Sequence, residues 1–395
     1  MAIIPLSKPD LSEDDIQSAL VALRGDRLSL GPATQRFETD LAARLGRPHA
    51  VAVSSGATAL TIGLRAVGVG PGSEVLVPAF SYAANAHSVI HCGATPVFVD
   101  CDMRTLNMSA PRMRERITPR TRAAILVPVF GNPAGLLELV SVCNQHEIIP
   151  VENGSEGLGS GSGREVVGRL GRVACFGFPT PRPVCLGEGG AIVTHDDHCA
   201  NSCRCLRDQG RNDRRSFLNQ SLDLGAIIRV ERDGMDARMP EVCAALGVPQ
   251  LARLDESMAA RQAIAAQYVR RLAGHPDLIL PAPESGDRIS WPHFWVRLTD
   301  RFEGADRDAI IDALHRHDIG AANHYPAANR LASVAALGSG TCDVCPIAER
   351  FSARTITLPM FNSMVASEIE QVCMTLEVVL SRHQPTGGEA PAGRA

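Results

Sequence analysis

The feature that most constrains the fold is the regular alternation of short apolar β-rich segments with helical segments over the first 250 residues. The predicted strands are Ala50–Val53, Glu74–Val77, Thr95–Val99, Ala123–Val129, Ile148–Val151, Ala174–Phe178 and Ala191–Thr194. The predicted helices among them are Ala57–Val67, Ala84–His91, Leu136–Gln145 and Cys199–Asp208. Apolar strands alternating with helices predict a mostly parallel sheet with helices on both faces, so the expected fold class is α/β.

The pattern changes near Leu251. A long helical segment, Leu251–Leu272, leads to a predicted strand at Ser290–Leu298, and two further amphipathic helices are predicted at Asp306–His317 and Ser367–Ser381. We therefore predict a large domain over residues 1–250 and a smaller α+β domain over residues 251–382. The tail, residues 383–395, is rich in Gly, Pro and Ala, and we expect it to be disordered.

Composition excludes several classes of protein. The chain has 395 residues, 45% of them hydrophobic, which is enough for a core and argues against disorder. A net charge of −4 without a basic block argues against a nucleic-acid or anionic-membrane partner. The longest apolar runs are too short to span a bilayer, and the N-terminus has no cationic start followed by a long apolar stretch. Twelve cysteines in such a chain indicate reduced, buried thiols, so we expect a cytoplasmic protein and no metal site.

The lysine count limits the possible chemistry. The chain has 39 basic residues, and Lys8 is the only lysine among them. Any reaction that needs a lysine amine therefore has one candidate, close to the N-terminus.

Motifs in one consistent order carry a family resemblance over roughly residues 5 to 380. They are residues 28–38, Ser54-Ser-Gly-Ala-Thr-Ala-Leu60, Gly70-Pro-Gly…Pro78-Ala-Phe-Ser-Tyr82, Gly93-Ala-Thr-Pro-Val-Phe-Val-Asp100, Val151-Glu-Asn153, Phe176-Gly-Phe178, Gly187-Glu-Gly-Gly190, Arg238-Met239 and His324-Tyr-Pro326. The chain resembles the DegT/DnrJ-type sugar aminotransferases, which share the fold type I architecture of aspartate aminotransferase. The resemblance implies a large sheet domain, a small C-terminal domain and a dimer with active sites between subunits. Family members use pyridoxal phosphate (PLP) to aminate keto-sugars carried on nucleotides.

The family's PLP lysine lies between the Phe-Ser-Phe and Gly-Glu-Gly-Gly motifs, and Arg182 falls on its position here. A guanidinium stays protonated at physiological pH and cannot form the covalent link that a lysine makes with PLP. Lys8 precedes the first predicted helix and is not expected to replace it.

Other family positions for PLP differ as well. Asn153 stands where the family has a carboxylate that faces the pyridine nitrogen, and Ala57 replaces a hydroxyl that contacts the phosphate. Gly177 replaces the serine of Phe-Ser-Phe, and Asp236 aligns with an asparagine that the family's partner subunit directs at the phosphate. Tyr82 keeps the aromatic residue that stacks on the ring. These differences favour a pocket without a cofactor.

The sequence therefore predicts a PLP-independent enzyme that performs elimination, isomerisation or cyclisation on a small polar or sugar-like intermediate of specialised, antibiotic-type metabolism. Arg182 is the predicted anchor for an anion, and Glu156 or Glu152 is the predicted general acid or base. The remaining candidate catalytic residues are Asp236, which supplies a second carboxylate, and His324 and Tyr325, which line the channel.

Alternatives remain open at this point. Glu156 and Arg182 form an ion pair that only fills the space of the lost cofactor, or Glu152 has a purely structural role. The chain forms a homodimer, or it is a non-catalytic subunit that pairs with an active homologue. A third possibility keeps PLP or pyridoxamine phosphate (PMP) in an atypical site, because PMP carries its own amine and needs no lysine.

Overall fold

In the computed structural model, residues 3–163, 165–211, 230–284, 286–335 and 344–386 are described. The first nine strands are β1 (His49–Val53), β2 (Glu74–Pro78), β3 (Thr95–Val99), β4 (Thr121–Leu126), β5 (Ile149–Asn153), β6 (Gly161–Ser162), β7 (Glu165–Val166), β8 (Val173–Gly177) and β9 (Gly190–Thr194). Seven of these form the main sheet in the order β1-β9-β8-β5-β4-β2-β3. Strand β9 runs antiparallel to both of its neighbours, and the other pairs are parallel. The predicted α/β class with a mostly parallel sheet is confirmed.

Helices cover both faces of this sheet. They are α1 (Glu13–Leu23), α2 (Pro32–Leu45), α3 (Gly56–Ala66), α4 (Ala84–His91), α5 (Ala110–Glu115), α6 (Leu136–Gln145), α7 (Asp197–Arg207) and α8 (Glu241–Ala252). Successive residues of β1 point to opposite faces: Val51 and Val53 pack with α3, whereas Ala50 and Ala52 pack with α2. Burial on both faces explains why these strands are apolar throughout rather than alternating.

The C-terminal elements are α9 (Leu254–Leu272), β10 (Leu278–Ile279), β11 (Asp287–Arg288), β12 (Phe294–Leu298), α10 (Gly304–Arg316), α11 (Ala332–Ala335), α12 (Pro346–Arg354), β13 (Thr355–Leu358) and α13 (Ala366–Arg382). Most of them surround a second core, whereas Val334 of α11 and Ala348 and Phe351 of α12 pack into the core beside the main sheet. Strands β10, β12 and β13 form an antiparallel sheet, and β11 pairs with β6 in another small sheet that also contains β7. Ile4 joins this second core although it lies at the start of the chain, because its backbone pairs with Ile319.

Two local expectations differ from the structure. The segment predicted as one helix from Leu251 contains a break at Arg253, between α8 and α9, where the Arg253 side chain reaches back to Asp10 and Asp15. The start of the predicted disordered tail is held in place, since His383 and Thr386 both bond Asp306. The rest of that tail, residues 387–395, lies outside the described residues. In the described part of the chain, no helix combines the length and apolar character needed to cross a membrane.

A carboxylate from α8 caps the start of α2. The N-cap Gly31 has no side chain to do this, and buried Glu241 accepts hydrogen bonds from the Gly31 backbone N–H at 2.8 Å and from the Thr34 hydroxyl at 2.6 Å. The N–H groups of Ala33 and Thr34 bond the same carboxylate. A negative charge at a helix N-terminus is favourable, so this contact ties two helices together.

We predict that Glu241→Ala lowers the free energy of unfolding by about 2–3 kcal/mol, because it leaves several buried donors without an acceptor. Urea unfolding followed by circular dichroism measures the change. The matched control is Glu115→Ala in exposed α5, which we expect to cost less than about 0.5 kcal/mol. Equal effects of the two substitutions would contradict the capping role.

Candidate active site

A cavity lies at the carboxyl ends of β1, β5 and β8, where parallel sheets commonly bind ligands. Its volume is about 340 Å³. The lining side chains and backbone come from Ser55, Gly56, Ala57, Leu60, Tyr82, Ala84, Asn153, Ser155, Glu156, Gly177, Pro179, Pro181, Arg182, Glu188, Gly189, His293, His324 and Tyr325. Lys8, the one lysine, is exposed and is not among them.

The floor of the cavity is the N-terminus of α3. Ser55 caps this helix by accepting the Thr58 N–H at 3.1 Å, and Ala57 in the first turn faces the cavity. The N–H groups of a first helical turn lack intrahelical acceptors and favour anions. Gly56 approaches Gly177 so closely that a Cβ on Gly56 would lie 2.8 Å from the Gly177 Cα. The small residues at both positions are therefore required by backbone packing.

Asn153 ends β5 and forms a buried polar network. Its Oδ1 accepts the Ser155 hydroxyl at 2.6 Å, and its Nδ2 donates to Asn85 Oδ1 at 2.8 Å. The Ser155 hydroxyl in turn accepts the Gly177 N–H at 2.9 Å. An amide nitrogen has two hydrogens, so Nδ2 keeps one for a ligand acceptor such as an unprotonated ring nitrogen.

Arg182 reaches the cavity from the loop Pro179–Leu186. The side chain is only 12% exposed, and its Nη2 lies 3.9 Å from Glu156 Oε1. Its Nε and Nη1 are buried and have no hydrogen-bond partner among the described residues. The ion pair with Glu156 is therefore loose, and two of the three guanidinium nitrogens have no acceptor among the described residues.

The arginine loop is fixed by three side chains from α8 and α9. Gln250 bonds both the N–H and the carbonyl of Cys185 at 2.8 Å, and Ser257 donates to the Pro183 carbonyl. Arg261, fully buried, donates to the carbonyls of Trp291 and Pro181. Burial and the charge of Arg182 lower the pKa of Arg261 to about 10. These contacts hold the guanidinium of Arg182 at a defined place in the cavity wall.

Glu156 is fully engaged rather than free. One oxygen accepts the Phe130 backbone N–H at 2.6 Å, and the other accepts the Tyr325 hydroxyl. Tyr325 is buried and stacks on Phe130, with ring centroids 5.9 Å apart. Burial and the neighbouring Glu156 raise the pKa of Tyr325 well above its ordinary value. Glu156 therefore places a negative charge near Arg182 and fixes Phe130 and Tyr325 through hydrogen bonds.

Two stacked histidines form the opposite wall. The rings of His293 and His324 lie 4.3 Å apart, and His324 Nδ1 is 2.7 Å from the Thr357 hydroxyl on β13. Burial, followed by the charge of Arg182, lowers the pKa of His324 to about 4. Burial also lowers the pKa of His293 well below its ordinary value, with His324 and Arg182 adding to the effect. Both rings are thus neutral at pH 7.

The structure places most of the predicted site residues around one cavity and places two of them elsewhere. Arg182, Glu156, His324, Tyr325, Asn153 and Tyr82 line one cavity with Ala57 and Gly177. Glu152 does not: its carboxylate points to the other side of β5 and accepts three backbone N–H groups, from Gly168, Leu170 and Gly171. Asp236 is 61% exposed and paired with Arg238, outside the cavity lining of one subunit.

His293 and Ser155 were not predicted as site residues. Ser155 lies two residues after Asn153, so the sequence already indicated that it is close to the cavity. His293 precedes a strand of the other domain, and nothing in its local sequence connects it with the edge of the main sheet.

Comparison with known proteins identifies the family. The model of the DegT/DnrJ/EryC1/StrS aminotransferase family matches residues 9–377, so the chain belongs to this family. GDP-perosamine synthase of Caulobacter vibrioides is 33% identical over 362 residues, which cover 89% of this chain and 91% of the relative.

Two solved structures share the fold. Aminotransferase TlmJ from Streptoalloteichus hindustanus has a TM-score of 0.87 at 28% identity, with 96% of this chain and 99% of TlmJ covered. Spr1654 from Streptococcus pneumoniae, solved in a PMP form, has a TM-score of 0.89 at 25% identity, with the same coverage of 96% and 99%. The fold is that of the type I aminotransferases, as the resemblance implied.

The prediction of a PLP-independent enzyme without a cofactor is wrong. The chain belongs to a PLP-dependent family, and a structural relative carries PMP. Family and relatives indicate a sugar aminotransferase enzyme. The prediction took Arg182 and the changes at Ala57, Asn153, Gly177 and Asp236 together as loss of the cofactor. The changed residues Ala57, Asn153, Gly177 and Arg182 nevertheless line an open cavity.

The cavity fits such a cofactor held without a covalent bond. The N-terminus of α3 suits a phosphate, and the half-free amide of Asn153 suits an unprotonated ring nitrogen. The unpartnered Nε and Nη1 of Arg182 are donors that need an anionic or polar ligand. What the cavity does not provide is a primary amine.

We predict that acid destabilises the fold partly through His324. Its pKa is near 6.5 in the unfolded chain and about 4 in the folded one, so the unfolded state binds more protons between these values. Stability therefore falls as the pH drops from 7 to 5. In His324→Gln the fall is smaller, as measured by urea unfolding at both pH values.

The control comparison is between pH 7 and pH 8, where His324 is neutral in both states and the variant and the parent should change alike. An equal loss of stability at pH 5 in parent and variant would show that His324 is not held neutral.

Proposed function

We propose that the chain is a sugar aminotransferase that holds its pyridoxal-type cofactor, in the PMP form, by non-covalent contacts alone. The supporting observation is the cavity itself: a helix N-terminus, an aromatic ring and an amide surround a space whose wall carries Arg182 with unpartnered N–H groups. PMP brings its own amine, so a pocket without lysine has the donor group that amination requires.

Each contact of this chain has a distinct task in the proposal. The first turn of α3 binds the phosphate, Tyr82 covers the ring, and Asn153 donates to the ring nitrogen. Arg182 pairs with a negative charge of the cofactor or substrate, and Glu156 keeps Arg182 in place. When bound, the cofactor supplies an amine and a ring that accepts electrons.

The proposed substrate is a keto-sugar carried on a nucleotide. The support comes from the relative named GDP-perosamine synthase, whose product name denotes a nucleotide-linked sugar. The cavity opens to the surface beside Tyr82, which is 61% exposed, and this leaves room for the nucleotide outside.

We also propose a homodimer as the working unit. Helix α1 presents Ile16, Leu20 and Leu23 at the spacing of one helical face, and these side chains are 42%, 37% and 57% exposed. Exposed apolar residues grouped in this way typically meet a partner. A second subunit would cover Tyr82 and bring Asp236 towards the cavity of its neighbour.

The decisive experiment restores a lysine. We predict that Arg182→Lys gains covalent PLP: after incubation with PLP, borohydride reduction and denaturation, mass spectrometry finds close to one cofactor per chain. The parent protein binds PLP or PMP by equilibrium dialysis but retains none after denaturation. The reason is that the non-covalent contacts already place the cofactor beside residue 182.

The matched controls are Arg182→Gln, which should retain no cofactor after denaturation, and Lys8→Arg, which should behave as the parent does. Absence of any cofactor binding by parent and Arg182→Lys alike would refute the proposal. Covalent retention in the parent that disappears in Lys8→Arg would refute its non-covalent part. PMP-loaded parent protein should convert a nucleotide-linked keto-sugar to the amino-sugar in one turnover.

For the dimer, we predict that Leu20→Asp converts a particle of twice 42.1 kDa into a monomer in sedimentation equilibrium. A charge in an apolar interface is costly, which favours dissociation. Met374→Asp, at an exposed position of α13, is the control and should leave the dimer intact. A monomeric parent protein, or a mixed oligomer formed only with a homologue, would overturn the homodimer.

A further inference from the structure

We propose that His324 is the proton acceptor of this cavity, with its Nε2 as the basic atom. The catalytic role of His324 rests on the proposed function. A sugar aminotransferase must move a proton between two carbons, and this pocket has no lysine to do so. The position of the proton on the His324 ring is a property of this chain alone, and it is tested without any cofactor.

Hydrogen bonds to β13 fix the tautomer of the ring. The Thr357 hydroxyl lies 2.9 Å from the Ala322 carbonyl and 2.7 Å from His324 Nδ1. A carbonyl can only accept, so the hydroxyl proton goes to Ala322 and the hydroxyl oxygen accepts from Nδ1–H. This arrangement forms both hydrogen bonds, whereas the opposite tautomer forms one. Nδ1 therefore carries the proton and Nε2 carries the lone pair.

Because Nδ1 faces Thr357 on β13, the lone pair on Nε2 points in another direction, and we infer that it faces the cavity. His324 is a lining residue, and no hydrogen bond from any described residue engages Nε2. The stack with His293 and the edge contact with Tyr325, at 5.1 Å between centroids, hold the plane of the ring. Nε2 is thus both free and oriented.

The neighbouring groups cannot take this role as they stand. Glu156 already accepts from Phe130 and Tyr325, and a guanidinium such as that of Arg182 has no lone pair to offer. The Tyr325 hydroxyl donates to Glu156. Two rivals line the same cavity: His293, which lies deeper at 3% exposure, and Glu188, which is an exposed residue.

The charges around His324 keep it in the basic form. The positive charge of Arg182 acts on the ring, His293 stacks on it, Thr357 contacts it from β13, and Tyr325 with Glu156 lies beside it. Burial and Arg182 both oppose an added proton. An anion beside Arg182 offsets the part of that opposition that comes from the charge of Arg182.

The proton step balances without another reactant. The carbon–hydrogen bond at the amine-bearing carbon breaks, the proton goes to Nε2, and the electron pair stays with the bound substrate and cofactor. Delivery of the proton to the former carbonyl carbon of the sugar, on the other side of the amine nitrogen, restores the neutral ring. No oxidant is consumed, and Thr357 holds Nδ1–H throughout.

The first test uses the cofactor-free protein labelled with ¹⁵N-histidine, in which His324→Gln identifies the signal of His324. At pH 7 we expect a protonated Nδ1 and an unprotonated Nε2. Thr357→Val should lose this preference, whereas Thr357→Ser should keep it. A proton on Nε2, or on both nitrogens, at pH 7 would overturn the assignment.

The second test measures single-turnover amination by PMP-loaded protein with a nucleotide-linked keto-sugar. His324→Gln should bind PMP as tightly as the parent and lower the rate of the proton step about 100-fold or more, the range for loss of a general base. The control is His146→Gln, at the exposed C-terminal end of α6, which should match the parent. Unchanged turnover in His324→Gln, or loss in His293→Gln alone, would overturn the role.

The two tests separate the two proposals. If the parent aminates no sugar, the proposed function fails, and the assignment of His324 is then decided by its tautomer. If the parent is active and the tautomer is as expected, only the rate of His324→Gln decides. Urea unfolding of each variant shows whether a loss comes from misfolding.

Discussion

The active-site cavity depends on one buried charge, the guanidinium of Arg182. It sits 3.9 Å from its nearest carboxylate and has two N–H groups without a partner among the described residues. Each buried donor without an acceptor costs about 1–3 kcal/mol, so the empty cavity is less stable than one filled by an anion. The same charge acts on the wall opposite, where it helps keep His324 and His293 neutral.

Such a charge can persist only because the surrounding structure holds it in place. The loop Pro179–Leu186 contains three prolines, which limit its backbone, and it is bonded by Gln250, Ser257 and Arg261. Arg261 is itself a fully buried cation that donates to backbone carbonyls and to Asn362 on the C-terminal side. The position of Arg182 is thus set jointly by the main sheet domain and by the helices that lead into the second core.

The sequence alone was enough to predict the fold class and several residues of the candidate site. Strand Thr95–Val99 and helices Ala84–His91 and Leu136–Gln145 have the predicted bounds, because apolar runs and their flanking glycines mark them locally. The motifs also placed Arg182, Asn153 and Tyr82 at one cavity. Glu152 was misplaced because neighbouring residues of a strand point to opposite faces, and the choice of face depends on which backbone N–H groups lie beyond it. His293 could not be found at all, since only tertiary packing brings it against His324.

An arginine in place of a lysine changes how a pocket of this kind can retain its cofactor. A lysine next to PLP reacts with its aldehyde, and the resulting bond retains the cofactor whatever the other contacts are worth. Arginine forms no such bond, but it gives two directed hydrogen bonds to an anion and keeps its charge. In the proposed function, retention comes from the α3 terminus, the aromatic ring and Arg182 together, so we expect the cofactor to exchange and its occupancy to follow its concentration. Proton transfer passes to the base that the lysine formerly made unnecessary, and in this cavity the free, oriented nitrogen is Nε2 of His324.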